Sequence, residues 1–451
     1  MRNKKGFTLI ELLAIIVILA IIAVITVPII LNIIDNAEKG SIEDSALGYK
    51  DALQKYYATK SVQNPEQELP SGYMEISELP SDFTVSGENP SDGWVKLKNG
   101  IVEKYSLKYK DYVVSMDNDK NVISEKKEKI EPHVTNDYQE VEYLESTGTQ
   151  YIDTGYKPRT NSVIDVEFKS NKVSGESFTS LFGTQKSADS NRVYCLFGTN
   201  NNIQLNMPTS SQKSYVSPNK SGDYVQGGAG TLWTNDKANY KIDLIKKTFM
   251  LNEKIWDLSY YYTDTLIDSE YNLFILTRNT AGTPDSNMSK GKLYNVTIYE
   301  ENSMIRNLVP VIRKSDNKPG LLDLANKTNN LFDKSTALLG YRITVSGINE
   351  QSSTACSDFI KVEEGINLSA SNKSLATNYY FYDEEKAFIS YTSGFQATVP
   401  ENAKYVRVNL DIDSLDSYML NVGSTTLPYE PYGYKFYTNA GEGEFIPGPE
   451  L

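Results

Sequence analysis

Histidine is nearly missing from this chain, with His133 the single example, and cysteine is confined to Cys195 and Cys356. One histidine excludes a paired-histidine zinc protease site, and two distant cysteines exclude a C-x-x-C redox or zinc pair. Histidine-based triads are nearly excluded with them, so no enzymatic activity is expected. Positive charge is also in deficit: 45 basic residues against 58 acidic ones give a net charge of −13. Such a balance repels nucleic-acid phosphate, and nucleic acid is not an expected partner. Hydrophobic residues at 39% and 32 tyrosines leave enough apolar surface to build cores, which excludes wholesale disorder. A chain of 451 residues is too long for one ordinary sandwich and has room for about three domains.

Long apolar runs are absent except at the start. Phe7 to Ile34 reads FTLIELLAIIVILAIIAVITVPIILNII, in which Glu11 is the single ionisable group, and it follows the basic flank MRNKKG. A helix from Leu12 to Leu31 is roughly 30 Å long, the thickness of a hydrocarbon core. The expectation is a membrane span over 7–34. Arg2, Lys4 and Lys5 hold the N-terminus in the cytoplasm and leave the bulk of the chain outside. No Ala-x-Ala-like site follows the apolar run, which argues against ordinary signal cleavage. A carboxylate at bilayer depth costs about 3 kcal/mol or more unless it is paired, so Glu11 requires a cation.

Lys4-Lys5-Gly6-Phe7-Thr8-Leu9-Ile10-Glu11-Leu12-Leu13 resembles the processing site of type IV prepilins. The resemblance implies cleavage after Gly6 by a membrane-embedded prepilin peptidase, followed by N-methylation of Phe7. It implies that Glu11 pairs with the terminal amine of a neighbouring subunit as the helix leaves the membrane for the filament. Pro28 matches a position where pilin helices often carry proline, which removes a backbone donor and bends the helix.

Ile42, Ala46, Tyr49, Leu53 and Tyr56 recur at helical spacing, so the helix is predicted to continue to about residue 58, with Pro65 and Pro70 beyond its end. Strands predicted at Gly72–Ile76, Trp94–Leu97, Ile101–Leu107 and Tyr112–Met116 make residues 59–123 a small pilin-like head. The charged, proline-containing stretch 124–137 reads as a linker in which His133 is solvated. Beyond it, short alternating strands punctuated by turn residues predict β-sandwiches and an α+β chain overall.

Two matches sharpen this picture. Tyr143–Gly155 (YLESTGTQYIDTG) and Leu308–Asp316 with Gly320–Leu324 resemble the opening and closing parts of concanavalin-like, laminin-G-like jelly rolls. The family's final motif, here Phe436–Phe445 (FYTNAGEGEF), arrives about a hundred residues late. The closing hairpin therefore reads as split, with the jelly roll formed by 138–327 and 434–451 and a sandwich resembling carbohydrate-binding modules inserted at 328–433. Within the insert, Tyr405–Leu410 (YVRVNL) alternates as a half-buried strand does.

Candidate ligand residues are aromatic. Tyr260, Tyr262, Tyr380, Tyr382 and Trp233 could stack on sugars, although strand alternation sends about half of each tyrosine run into a core. Asn409, Asp411, Asp413 and Asp416 offer the oxygen donors calcium takes, without the glycine and spacing of an EF-hand; a solvated strand edge is the plainer reading, and no other cofactor is expected. Glu140, Glu142 and Glu145 are the nearest approach to a glycosidase carboxylate pair, but alternation divides them between faces. Cys195 and Cys356 fall in different expected domains, so two free thiols are simpler than a bridge. The reading these features support is a minor pilin at a filament tip, whose sandwiches bind a surface glycan or protein, embedded in the cytoplasmic membrane as a precursor and extracellular once assembled. A pseudopilin of a secretion or DNA-uptake machine and a surface-tethered glycosidase are the alternatives.

Overall fold

A 55-residue helix, α1 (Leu9–Gln63), opens the computed structural model, and it stops where Pro65 would remove a helical donor. The structure describes residues 9–66, 68–116, 120–127, 129–130, 132–173, 175–187, 190–199, 202–211, 214–219, 221–226, 235–301, 303–328, 330–370, 377–415, 418–424 and 433–451. The chain divides into two compact units, 1–136 and 137–451.

In the first unit, α1 lies on a five-stranded antiparallel meander: β1 (Gly72–Glu75), β2 (Asp92–Lys98), β3 (Ile101–Tyr109), β4 (Tyr112–Met116) and β5 (Val122–Lys126). The apolar stripe of α1 meets the sheet through Ile42, Ala46, Tyr49, Leu53 and Tyr57, which pack with Val95, Leu107 and Val114. Steps of three and four residues keep these side chains on one helix face. Tyr56, expected in this stripe, is only partly buried; its hydroxyl donates to Asp82 at 2.6 Å while Tyr57 takes the core position.

The expected linker 124–137 is in part structure of the first unit. β5 takes in its first residues, and beyond it the side chain of Asn136 accepts from Tyr73 N (3.0 Å) and donates to Tyr73 O (3.0 Å). The expectation of a solvated His133 is corrected. Its ring stacks on Tyr73 at 4.7 Å between centroids, sits 5.2 Å from Trp94, and places Nε2 2.8 Å from Glu75 Oε1. Stacking one imidazole face on Tyr73, with Trp94 tilted beside it, leaves His133 half-buried despite the polarity of the surrounding sequence.

The second unit is an antiparallel β-sandwich body. One sheet runs Lys254–Asp257, Thr248–Leu251, Ala238–Asp243, Ser162–Ser170, Gly291–Glu300, Ser303–Arg313, Lys318–Lys327, Tyr434–Tyr437 in spatial order; the facing sheet is centred on Thr179–Ser187, Ser190–Phe197 and Ile203–Asn206. Period-two alternation in Ser162–Ser170 sends Ile164, Val166 and Phe168 inward, where Phe197 of the other sheet lies 6.1 Å from Phe168 and 5.3 Å from Tyr240.

A separate apolar core, including Phe332, Leu368, Tyr379, Phe381, Val406 and Val408, occupies the stretch between Lys327 and Tyr434. It lies between a six-stranded and a three-stranded sheet. The chain leaves the body at Lys327, whose register partner is Tyr434, and Thr328 N donates to Gly433 O at 2.7 Å. Exit and return are therefore neighbours on a closed ladder, the geometry under which an intervening segment is dispensable to the surrounding fold. Replacing residues 329–432 by a two-residue turn is expected to leave the body folded, with an unfolding midpoint within a few degrees of the parent transition. Loss of cooperative unfolding in the shortened chain would show that the two cores are one folding unit.

Candidate functional site

Among the described side chains, the N-terminal half of α1 presents an exposed apolar surface. Leu13, Ile16, Val24, Ile29, Leu31 and Ile34 are each at least half exposed, Val24 at 75%. Exposed apolar surface continuous over several helical turns is unstable in water and marks a partner or a lipid phase. Pro28 sits inside this helix, where it removes the donor for the Val24 carbonyl. Two residues earlier, Thr26 Oγ1 donates back to Ile22 O at 2.7 Å, a bond that also favours bending. Gly6 and Phe7 lie outside the described residues, as does the side chain of Glu11. Among the described residues no helix is long and apolar enough to cross a membrane; the span expected over 7–34 contains residues and side chains outside that set.

At the C-terminal end of this surface Asp35 accepts from Tyr112 Oη at 2.7 Å and from Lys126. These bonds hold its carboxyl below the usual range, the Lys126 ammonium contributing most. The first charge after the apolar run is thereby tied to β4 and β5.

The aromatic candidates divide. Tyr260 is 88% exposed, whereas Tyr262, Tyr380 and Tyr382 are 0–2% exposed, so among these four only Tyr260 presents its ring to solvent. Tyr262 donates to Leu205 O at 3.2 Å, and its burial raises its hydroxyl pKa well above the ordinary value. Trp233 lies outside the described residues. Glu145 accepts from Asn171 Nδ2 at 3.0 Å on strand Leu144–Ser146, while Glu140 lies on the separate strand Tyr138–Glu140. Cys195 and Cys356 are free and buried.

Of the calcium candidates, Asn409 is committed to backbone: its Oδ1 accepts from Ile343 N (2.7 Å) and its Nδ2 donates to Ile343 O (2.9 Å). Asp411 caps a short 3₁₀ turn by accepting from Asp413 N. Asp416 lies outside the described residues. Among the described residues no group of three or more histidine, cysteine or acidic side chains is placed to hold a metal ion.

Strand Thr377–Tyr382 alternates as expected, with Tyr379 and Phe381 in the core of the 328–433 segment. Tyr380 and Tyr382 occupy the opposite sheet face with Cys356 and Ile343, paired in register with Arg407 and Tyr405. That face is covered by a hairpin formed from Leu338–Ile343 and Asn349–Cys356. Its register jumps from Leu339↔Ala355 to Tyr341↔Gln351, so Ser352–Thr354 oppose Gly340 alone. The extra residues kink the ladder, and Gly340, at φ 78°, supplies a left-handed backbone that other residues resist. Beyond the kink the hairpin tip reaches the face: Tyr382 Oη donates to Gly347 O (3.0 Å), and Arg407 Nη1 donates to Asn349 Oδ1 (2.9 Å).

Arg407 carried no expectation beyond a place on a half-buried strand, yet it is 3% exposed. Its other bonds go to Ser357 O (2.9 Å) and Cys356 Sγ (3.4 Å), and its guanidinium lies 4.8 Å from the Phe359 ring centre. The sequence signal for it is an arginine set between two valines in an alternating strand.

Residues 1–27 match the model of the prokaryotic N-terminal methylation motif. Comparisons with curated proteins and with solved structures find no match. The motif is the processing and methylation signature of type IV pilin-like and pseudopilin-like proteins, and it covers the start of the exposed apolar helix.

Proposed function

We propose that this chain is a minor type IV pilin, cut by prepilin peptidase between Gly6 and Phe7 and carried at or near a filament tip. Its β-sandwich body serves as a non-enzymatic adhesion module for a surface glycan or protein. The observation that carries this reading is the juxtaposition of a methylation motif and an exposed apolar helix with a body spanning residues 137–451. The apolar helix needs a lipid bilayer before assembly and neighbouring pilin helices after it. A body this large on every subunit would crowd a helical lattice, whereas a terminal copy has open space around it.

Within the body we read 138–327 with 434–451 as a jelly roll and 328–433 as an inserted sandwich, each resting on its own apolar core. The test is composition: intact pili, sheared from cells and purified, are expected to contain the processed chain at a few copies per filament. Its absence from filaments, with accumulation beside a secretion machine, would favour the pseudopilin reading instead.

A further inference from the structure

We propose that the hairpin Leu338–Cys356 is a flap over a binding face for an acidic saccharide, with Arg407 receiving the carboxylate of a uronic acid residue. This rests on the adhesin reading above and assigns its ligand class and its gate.

The argument begins with charge. A buried guanidinium is ordinarily paired with a carboxylate, because removing it from water without a counter-charge costs several kcal/mol. Among the described residues the groups Arg407 bonds are neutral: a backbone carbonyl, a thiol sulfur, the Asn349 amide oxygen and the Tyr382 hydroxyl. Of these, Asn349 alone belongs to the distal half of the hairpin, and it is itself exposed. Asn349 Oδ1 thus occupies a position that one oxygen of an anionic ligand would take more favourably, since a charge-assisted bond is about twice as strong as a neutral one.

The remaining groups under the flap have the chemistry of sugar recognition. Tyr382 Oη donates to flap backbone at Gly347, and the Asn409 amide is bonded at both ends by flap backbone at Ile343 while its Nδ2 also donates to the Tyr380 hydroxyl at 3.1 Å. Lifting the flap tip uncovers the Tyr382 phenol, the Asn409 amide, the Arg407 Nη1 donor and the Tyr380 and Tyr382 rings together on one face. Aromatic rings with a few convergent polar groups suit a pyranose, and arginine selects the acidic one.

The hairpin is also built to move. Among the described residues its ladder pairs with the central strand Tyr405–Leu410 are Ala355 and Cys356, with the Asn409 side chain holding Ile343, and the kink at Gly340 separates the Ala355–Cys356 anchor from the tip. Val345 and Ile348 at the tip are 64% and 66% exposed, so the closed flap gains little by burying them. A flap closed most of the time weakens apparent affinity by the fraction of time the site is open, and any change that loosens closure should strengthen binding.

The experiment uses the full-length chain in detergent micelles with hexuronic acid oligomers and matched neutral hexose oligomers as probes. Saturable binding to the acidic oligomers is expected, at least tenfold tighter than to the neutral ones. Asn349→Ala, an exposed change that leaves the core intact, should tighten acidic binding about threefold to tenfold, and Arg407→Gln should weaken it tenfold or more. Hydrogen exchange reads the gate independently: amides of Ile343 and Ile348 should exchange faster than those of Val406 and Val408, and faster still with the acidic oligomer bound. Equal affinity for acidic and neutral oligomers, or no effect of Asn349→Ala on affinity and exchange, overturns the proposal. Binding to another surface ligand that is indifferent to Arg407 would remove the flap site and leave the adhesin reading standing; no binding across a glycan and matrix array would remove both.

Discussion

Replacement of Gly6 by valine is expected to leave the whole population at precursor mass, with Phe7 internal and unmethylated. The reason lies in the resemblance of Lys4–Leu13 to prepilin processing sites, supported by the methylation-motif match over residues 1–27. A peptidase that must close on the scissile carbonyl tolerates no side chain where the motif has glycine. The chain should still reach the membrane, because the basic flank and the apolar run are untouched. Glu11→Ala separates processing from assembly. It should be cut and methylated normally, yet be depleted at least tenfold from purified filaments, since the new terminal amine of a neighbour loses its carboxylate partner at bilayer depth. Mass spectrometry of the N-terminal peptide and immunoblots of sheared pili read the two steps. Complete cleavage of the Gly6→Val chain, or full filament incorporation of Glu11→Ala, would remove the pilin reading of these positions.

The second large effect is expected at Gln150 and Asn439, nearly three hundred residues apart in sequence and joined in the body. Gln150, 3% exposed, accepts at Oε1 from Ser146 Oγ, Thr147 N and Thr147 Oγ1 at 2.8–3.2 Å and donates at Nε2 to the carbonyls of Glu442 and Glu444 at 3.3 Å. Asn439 accepts from Tyr151 N and Gly441 N at 2.9 Å and donates to Gly443 O at 2.7 Å. Gly441 fits between them because a Cβ there would stand 2.1 Å from Thr149 O.

Gln150→Ala strands several polar groups in a water-poor site, at about 1–3 kcal/mol per unpaired group, whereas the groups Asn439 bonds are part-buried or exposed and water can replace it. Gln150→Ala should therefore cost about 3–5 kcal/mol, a large part of a domain's ordinary stability, and Asn439→Ala about 1–2 kcal/mol. The double variant should cost less than the sum, because both residues hold the same loop. Denaturant unfolding followed by tyrosine fluorescence gives the values; losses below about 1 kcal/mol for both single variants would mean that the loop is not a closure of the body.

This lock explains why two motifs so far apart belong together. Tyr143–Gly155 and Phe436–Phe445 resemble, from their residues, parts of one kind of sandwich. What the ladder between Lys318–Lys327 and Tyr434–Tyr437 adds is that they meet across an interruption whose ends are hydrogen-bonded neighbours. A strand motif encodes its own turn and face, whereas its partner is chosen by the whole sheet.

What the amino-acid sequence determined alone is local. The prepilin-like leader motif, the long helix and its stripe from Ile42 to Leu53, and the inward and outward alternation of Thr377–Tyr382 and Tyr405–Leu410 all follow from the periods of helix and strand. The tertiary structure decided what covers each face. His133 left the solvent for the Tyr73 and Trp94 rings because β1 and β2 present those rings side by side. Tyr380, Tyr382 and Arg407, on a face that alternation directs away from the core, are buried because a hairpin kinked at Gly340 folds back over them. Period tells a residue which side of its strand it occupies; whether water reaches that side depends on chain arriving from elsewhere.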